Sequence, residues 1–377
     1  IPNLNNKRKT EYMEKKKEVL IIIPAYNEEK TIRAILDDIV NQDFNHNDIE
    51  VLLVNSASTD NTRQIMIDFA KENASNKNMQ FRSVHVLENP KKTLPCGWNV
   101  ALKAYKGEAI LKVDAHAQIP SDFVSKNVSV LESGEDISGG QRPSIIDEPT
   151  KWKETLLLAE SSMFGSSIAP YRNNPGRSYV KSMFHAAYRR KVFETIGGFN
   201  ENLTRTEDNE VHYRMRNAGF KLCFDPNIIS YQHIRSSLKS MIKQKYANGY
   251  WIGLTSGMCI QCLSLYHFVP FAFVVAIIIS TLICAGFYGV FTAGIFLTIY
   301  NIIVILTKFM WITYTLLAVI MAVLSVIQAK DKANITCILL PVLFFLLHIS
   351  YGIGTLMGLI KMPFWLKGIK DGRNKKR

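Results

Sequence analysis

The stretch LKVDAHAQ, residues 111–118, places a carboxylate and an imidazole two positions apart. The apolar residues ahead of Asp114 predict a short buried strand that ends there. Because alternate residues of an extended chain point to one side, Asp114 and His116 are expected to share a face. Both side chains can bind a divalent cation, and carboxylate oxygens suit Mg²⁺ or Mn²⁺. A turn-forming aspartate beside a surface histidine would give the same pattern, so the fragment alone leaves both interpretations open.

The acidic pair Glu207 and Asp208 is the second candidate for chemistry. It lies in TRTEDNEVHYRMRNAG, just ahead of a predicted amphipathic helix at residues 211–217. A positioned carboxylate can act as a general base and take a proton from a hydroxyl group. Acidic residues also favour helix starts, where they interact with the positive end of the helix dipole. Taken by themselves, these two residues favour the helix-start role.

The elements that would position these residues alternate between strand and helix. VLIII, residues 19–23, is a continuous β-branched run, as expected of a parallel strand covered on both faces. Further strands are predicted at residues 50–54, 81–87 and 108–116, with helical patterns between them. This alternation predicts a doubly wound α/β fold, in which ligands bind at the carboxyl ends of the strands.

The turns after the first two strands carry polar side chains. Neither GxGxxG nor GxxxxGK[ST] occurs there, which argues against a dinucleotide-dependent dehydrogenase and a P-loop nucleotidase. The polar groups can hold the base and ribose of a nucleoside, although ordinary helix caps and turns use the same residue types. The candidates are Tyr26, Asn27 and Glu28 after the first strand, and Asn55, Ser56, Ser58 and Asp60 after the second.

Charge is distributed unevenly along the chain. The formal net charge is +13, from 45 Lys and Arg against 32 Asp and Glu. Residues 246–307, 309–329 and 333–360 contain none of these four residue types, which predicts a membrane unit behind a soluble one. An anionic membrane surface or a phosphate-bearing substrate therefore explains the basic balance better than nucleic acid does.

The expected organisation has five parts. About four spans are predicted, two within residues 267–307 separated near Gly286 to Gly289, a third at 309–329 and a fourth at 335–360. A basic amphipathic segment precedes them and is expected to lie in the membrane interface. The predicted parts are a basic leader at 1–18, the α/β domain at 19–235, the interfacial segment at 236–265, the transmembrane unit at 266–360 and a basic cytoplasmic tail at 361–377.

Five motifs carry a resemblance to a known family. PAYNEE, S-x-S-T-D-N-T, the DxH strand end, YRRKVFETIGGFNE and TRTEDNEVHYRMRNAG occur in this order over residues 19–235. Together they resemble the inverting family 2 glycosyltransferases, which have a GT-A fold with a Rossmann-like mixed sheet. The DAHA variant, with GGQRPS and SSMFGSS-x-APYR, is similar to the branch that includes the succinoglycan-biosynthesis glucosyltransferase. That branch also carries C-terminal membrane spans, so the resemblance covers essentially the whole chain.

The resemblance implies roles for individual residues. Asp208 would be the catalytic base, with Glu207 beside it in acceptor binding or as support. Asp114 would lie by the metal and the nucleotide sugar, while His116 replaces a second aspartate and favours an Mn-like ion over Mg²⁺. Asn55 stands where most relatives have Asp. The uridine of a UDP-sugar would be surrounded by Pro24, Tyr26, Glu28, Asn55, Ser56 and Asp60, and weaker candidates for the acceptor or sugar pocket are His185 and Trp98.

These inferences predict a multi-pass cell-membrane enzyme with a cytoplasmic catalytic domain. It would move one hexose from a UDP-sugar to a polyprenyl-diphosphate-linked oligosaccharide in extracellular or capsular polysaccharide synthesis. The chain lacks the Q-x-x-R-W motif of processive synthases, which favours a single addition. Two alternatives stay open. The acceptor can be polyprenyl phosphate itself, or the chain can be a non-catalytic membrane scaffold with a degenerate transferase domain.

Overall fold

The computed structural model describes residues 18–75, 80–105, 107–165, 176–286 and 294–374. The chain divides into two compact units, Ile1–Arg142 with Asn173–Gln232, and Pro143–Arg172 with His233–Arg377. Residues 143–172 therefore group with the C-terminal unit, whereas the sequence assigned them to the α/β domain. The predicted leader apart from Glu18, the break after Gly286 and the second half of SSMFGSS-x-APYR lie outside the described residues.

The first unit is built on a mixed eight-stranded sheet among the described residues. The strands of the chain are β1 Val19–Ala25, β2 Ile49–Asn55, β3 Ser83–Glu88, β4 Ala109–Lys112, β5 Ala117–Gln118, β6 Ile137–Gln141, β7 Ser144–Ile145, β8 Ser178–Val180, β9 Ala187–Arg189, β10 Leu222–Ile229 and β11 Tyr231–His233. The sheet order is β3-β2-β1-β4-β9-β6-β10-β8. Strands β3, β2, β1 and β4 are parallel, whereas β9 runs antiparallel to β4 and β6. The predicted α/β class with a mixed sheet is confirmed.

Helices cover the sheet and bury the stripes that the sequence indicates. The helices up to residue 217 are α1 Ile32–Val40, α2 Thr62–Ser75, α3 Leu94–Ala104, α4 Phe123–Glu132, α5 Lys151–Ser161, α6 Arg190–Ile196 and α7 Glu207–Asn217, of which α5 belongs to the second unit. Strand β1 is buried along its whole length. The predicted apolar stripe of α1 is also buried. Helix α7 begins at Glu207, so the acidic pair lies in its first turn rather than ahead of it.

Among its described residues, the second unit contains four further α-helices, α8 Leu238–Cys259, α9 Val269–Gly286, α10 Gly294–Ala329 and α11 Leu340–Asn374. Within the described part of the chain, three segments are long and apolar enough to cross a membrane: Leu265–Gly286, Phe296–Ala329 and Ile335–Gly372. The expected break at Lys308 does not occur, because α10 continues through it. One lysine leaves the backbone ladder intact, and no proline or internal glycine interrupts the helix. The expectation of about four spans is corrected to three candidates.

Helix α8, which the sequence assigned to the membrane interface, packs closely against α11. A Cβ atom added at Gly249 would lie 2.0 Å from the carbonyl oxygen of Tyr351, and one added at Gly354 would lie 2.1 Å from that of Tyr246. Small residues on both helices thus allow the two backbones to approach closely. Lys245 belongs to the basic segment that was expected to lie in the membrane interface, but its side chain is buried and lies 2.8 Å from Glu160 of α5.

Candidate active site

The loops that follow β1 and β2 are joined by Asn27. Its backbone N–H donates to Ser58 Oγ at 3.1 Å, and its Oδ1 accepts from the backbone N–H of Thr59 at 2.8 Å. Asn27 has a φ of +55°, a left-handed conformation that asparagine tolerates better than most residues. The carboxyl ends of two neighbouring parallel strands are therefore held together as one polar edge.

Asp60, Pro24 and Tyr26, which the resemblance implies in nucleotide binding, have different surroundings in the structure. Asp60 accepts hydrogen bonds from the backbone N–H groups of Thr62 at 3.0 Å and Glu29 at 3.2 Å, so its carboxylate fixes the two loops. Pro24 is buried within β1. Tyr26 is 46% exposed and presents a flat apolar ring at the same edge.

The next two implied residues, Asn55 and Ser56, are buried and have internal partners. Asn55 is 2% exposed; its Nδ2 donates to Glu88 Oε2 at 2.7 Å, and its Oδ1 accepts from the backbone N–H of Ser58 at 3.1 Å. Ser56 Oγ accepts from Asn89 Nδ2 at 3.0 Å. The sequence analysis missed Glu88. The available signal was its place as the last residue of β3, directly opposite Asn55 in the sheet.

Asp114 lies just beyond β4, two residues after that strand ends at Lys112. Its Oδ2 is 3.1 Å from Nε2 of His185. Burial by itself would raise the pKa of this carboxyl, but His185, His116 and Lys112 outweigh that effect and hold the pKa well below its usual range. Asp114 is therefore ionised at neutral pH, which is the form that binds a cation.

His116 lies beside another implied site residue, Glu28. Nδ1 of His116 is 3.2 Å from Glu28 Oε1, and Glu28 Oε2 also accepts from the hydroxyl of Thr31 at 2.7 Å. Among the residues that the structure describes, no three His, Cys, Asp or Glu side chains converge into a metal cage. The assignment of Asp114 and His116 as ligands of a divalent cation therefore stays a prediction.

Asp208 contacts a buried lysine that the sequence analysis also missed. Nζ of Lys112 binds Asp208 Oδ1, and the lysine is 3% exposed. The ammonium group lies over the rings of Trp98 and Phe199, at 5.1 and 5.6 Å from their centroids. Burial would lower the pKa of Lys112, but the carboxyl groups, first that of Asp208 and then that of Asp114, raise it. A lone lysine in the apolar strand ILKV, two residues before Asp114, was the signal in the sequence.

The carboxyl group of Glu207 is buried next to that of Asp208. Burial, and then the negative charge of Asp208, raise the pKa of Glu207 to about 8. Its Oε2 is buried and has no hydrogen-bond partner among the described residues. Glu207 is thus protonated at neutral pH, while Asp208 faces the ammonium group of Lys112. The two neighbouring carboxyl groups therefore lie in different environments, which suits them to different chemical roles.

The two weaker candidates lie behind the site. His185 is buried; Nδ1 is 2.9 Å from Ser230 Oγ, and Nε2 faces Asp114. Trp98 is 1% exposed and packs on Lys112. Both side chains are buried, and a role for either of them in contact with an acceptor sugar stays a prediction. His185 positions Asp114, and Trp98 packs around the lysine that holds Asp208.

Comparison with protein families agrees with the fold. The model described as glycosyl transferase family group 2 matches residues 109–349, and the model described as glycosyl transferase family 2 matches residues 20–197. The chain belongs to the family 2 glycosyltransferases and is a glycosyltransferase.

Two curated proteins and one solved structure are similar to the chain. A Methanococcus voltae protein, dolichyl N-acetyl-alpha-D-glucosaminyl phosphate 3-beta-D-2,3-diacetamido-2,3-dideoxy-beta-D-glucuronosyltransferase, is 24% identical over 91% of this chain and 97% of its own length. Succinoglycan biosynthesis protein ExoA of Rhizobium meliloti is 26% identical over 61% of this chain and 67% of its own. Mannosyltransferase PcManGT from Pyrobaculum calidifontis, in complex with GDP-Man and Mn²⁺, has a TM-score of 0.55 at 17% identity, with 94% of each chain covered. That structural likeness supports the GT-A fold.

Proposed function

We propose that the chain transfers a single hexose, with inversion, from a UDP-sugar to a polyprenyl-diphosphate-linked oligosaccharide. The observation that carries this proposal is the buried contact between Lys112 and Asp208. Lys112 also lies two residues before the ionised Asp114 and interacts electrostatically with it. One carboxylate for the acceptor and one for the donor diphosphate are thus organised around a single ammonium group.

In the proposed reaction Asp208 is the general base. Its carboxylate takes the proton of the acceptor hydroxyl as that oxygen attacks the anomeric carbon of the sugar. The bond between this carbon and the diphosphate oxygen breaks on the opposite face, and its electron pair leaves with UDP. Attack and departure on opposite faces invert the anomeric configuration. Glu207, protonated at neutral pH, can donate a hydrogen bond to the acceptor without competing for the proton.

A divalent cation, Mn²⁺ or Mg²⁺, would be held by Asp114 and His116. When bound, it neutralises the negative charge that develops on the departing diphosphate. The imidazole favours Mn²⁺ because nitrogen ligands bind the later divalent metals more strongly than they bind Mg²⁺. Contact with His185 keeps the Asp114 carboxylate oriented, as outer partners of metal ligands commonly do.

Relatives support the polyprenyl-linked acceptor. One similar protein is named for transfer to a dolichyl phosphate-linked sugar, and another for succinoglycan biosynthesis. The three apolar segments are consistent with a multi-pass protein of the cell membrane. We place the catalytic unit on the cytoplasmic side, where UDP-sugars are available. Cysteine labelling of intact cells and of inverted vesicles tests this orientation.

The central test substitutes the base and leaves the nucleotide site unchanged. Asp208→Asn should abolish transfer from a UDP-hexose to membrane acceptor extracts, while UDP binding measured by calorimetry stays within about twofold. Asp136→Asn is the matched control, because Asp136 also pairs with a lysine, Lys191 at 2.6 Å. Asp136 lies just before the amino end of β6, whereas the candidate site lies at the carboxyl ends of the strands. Turnover by Asp208→Asn at the wild-type rate would contradict the assignment. Analysis of the lipid product distinguishes transfer to an oligosaccharide from transfer to the bare polyprenyl phosphate.

A further inference from the structure

We propose that Glu88, and not Asn55, recognises the base of the donor, by accepting the ring N3–H of uracil. This inference rests on the proposed use of a UDP-sugar and names the group that selects the nucleotide.

The amide of Asn55 is fixed by two partners, one that accepts a hydrogen bond and one that donates one. Its Nδ2 donates to Glu88 Oε2 at 2.7 Å, and its Oδ1 accepts from the backbone N–H of Ser58 at 3.1 Å. A carboxylate can only accept and a backbone N–H can only donate, so the amide orientation is determined. Because its side chain is buried, Asn55 is a poor acceptor for a base N–H group.

Glu88 has the charge and the exposure that Asn55 lacks. Its side chain is 51% exposed at the carboxyl end of β3, the edge where nucleotides bind in such sheets. Oε1 accepts from Arg63 Nε at 2.7 Å and Oε2 from Asn55. Each carboxylate oxygen has a second lone pair and can accept one further hydrogen bond. The carboxylate is therefore held between two donors and still available to a ligand.

This arrangement matches the edge of uracil. Uracil presents a ring N–H donor, and Glu88 presents a carboxylate acceptor that Arg63 and Asn55 hold in place. Cytosine and adenine carry a lone pair at the corresponding ring nitrogen, which a carboxylate repels. Guanine carries a ring N–H beside a second donor, and a carboxylate can accept from both, so Glu88 does not by itself discriminate against GDP. The site should therefore prefer UDP to CDP and ADP.

The test is calorimetric titration of the full chain in detergent with UDP and with N3-methyl-UDP, which lacks the N–H group. Loss of a hydrogen bond to a charged group should raise the Kd of wild type for the methylated ligand by about 10- to 100-fold. Glu88→Gln should bind UDP more weakly by about 10-fold or more, and methylation should cost this variant much less. The surface ion pair of Glu88 with Arg63 contributes little to folding, so this variant is expected to fold.

Glu72→Gln provides a matched control. Glu72 is also a partly exposed glutamate paired with an arginine, Arg33 at 2.8 Å, but it lies on α2 away from the strand ends. It should bind UDP as wild type does. Equal wild-type affinity for UDP and N3-methyl-UDP, or unchanged UDP binding by Glu88→Gln, would overturn the Glu88 assignment and leave the proposed transfer intact. Wild type that binds GDP but not UDP would instead contradict the proposed donor.

Discussion

The buried contact between Lys112 and Asp208 gives the sharpest prediction about the site. Lys112→Met keeps an unbranched side chain under Trp98 and Phe199 but removes the ammonium group. The carboxyl groups of Asp208 and Asp114 then lose the positive charge that they share. Breaking a buried ion pair by removing one partner costs about 3–5 kcal/mol. We expect a clear fall in the thermal midpoint and a loss of turnover of at least about 100-fold.

The charges around the pair predict that loss of Lys112 destabilises the protein more than loss of the Asp208 carboxylate does. Asp208→Asn leaves Lys112 with the carboxylate of Asp114 nearby, whereas Lys112→Met leaves the carboxyl groups of Asp208 and Asp114 without this cation. The lysine variant should therefore have the lower midpoint. The double variant should recover part of the loss, because replacing both members of a buried pair is far less costly than removing one.

Thermal unfolding of the full chain in detergent, followed by tryptophan fluorescence, measures these midpoints. Lys191→Met is the control, since Lys191 is 56% exposed and forms a surface pair with Asp136 that should contribute about 0–1 kcal/mol. Additive midpoint shifts in the double variant would refute the coupling between Lys112 and Asp208. Equal shifts for Lys112→Met and Lys191→Met would refute the burial argument. Partial rescue of turnover by Lys112→Arg, with unchanged KM for the donor, is expected if the lysine positions the base.

Three further predictions concern pH, metal and helix packing. Glu207 binds its proton up to a pKa of about 8 when folded and about 4.5 when unfolded, so the unfolded state loses the proton first, and stability should fall as pH rises from 4.5 to 8. The thermal midpoint of Glu207→Gln should lack this part of the decline; an equally steep decline would contradict it. Chelation by EDTA should weaken UDP binding in wild type and have little effect in Asp114→Asn, and Mn²⁺ should restore it; insensitivity of wild type would exclude the proposed ion. Gly253→Leu should lower the midpoint and the yield of folded protein, because even a Cβ would lie 2.5 Å from the carbonyl oxygen of Thr355, whereas Gly368→Leu, with open space around it, should not.

The sequence predicted the fold because the fold depends on patterns. The buried run of β1, the apolar stripe of α1 and the order of strands and helices are periodic signals that a single chain displays. Burial was harder to predict for individual polar residues. Nothing local distinguishes the exposed ring of Tyr26 from the buried ring of Trp98, since burial depends on segments that are distant in sequence.

The organisation of the membrane helices was also only partly predictable from the sequence. The apolar character of residues 246–360 was evident, but the continuity of α10 through Lys308 was not. The sequence analysis treated a single charge as a boundary, whereas a helix ends where its backbone hydrogen bonds end. The packing of α8 on α11 depends on glycines of two segments about a hundred residues apart, and it becomes visible only when their backbones are placed together.

The unusual residues of the site occur in matched pairs. Asn55 stands where the family resemblance implies an aspartate, and its amide donates to the carboxylate of Glu88 at 2.7 Å. His116 stands where the resemblance implies a second aspartate, and it lies 3.2 Å from the carboxylate of Glu28. An aspartate at either position would place two carboxylates in contact, which is strongly unfavourable where both are partly buried. Each substitution therefore makes sense only with its partner. Introducing the aspartate alone, as Asn55→Asp or His116→Asp, should weaken UDP binding rather than improve it. Combining Asn55→Asp with Glu88→Gln should remove the repulsion and recover part of the thermal midpoint, but not UDP binding.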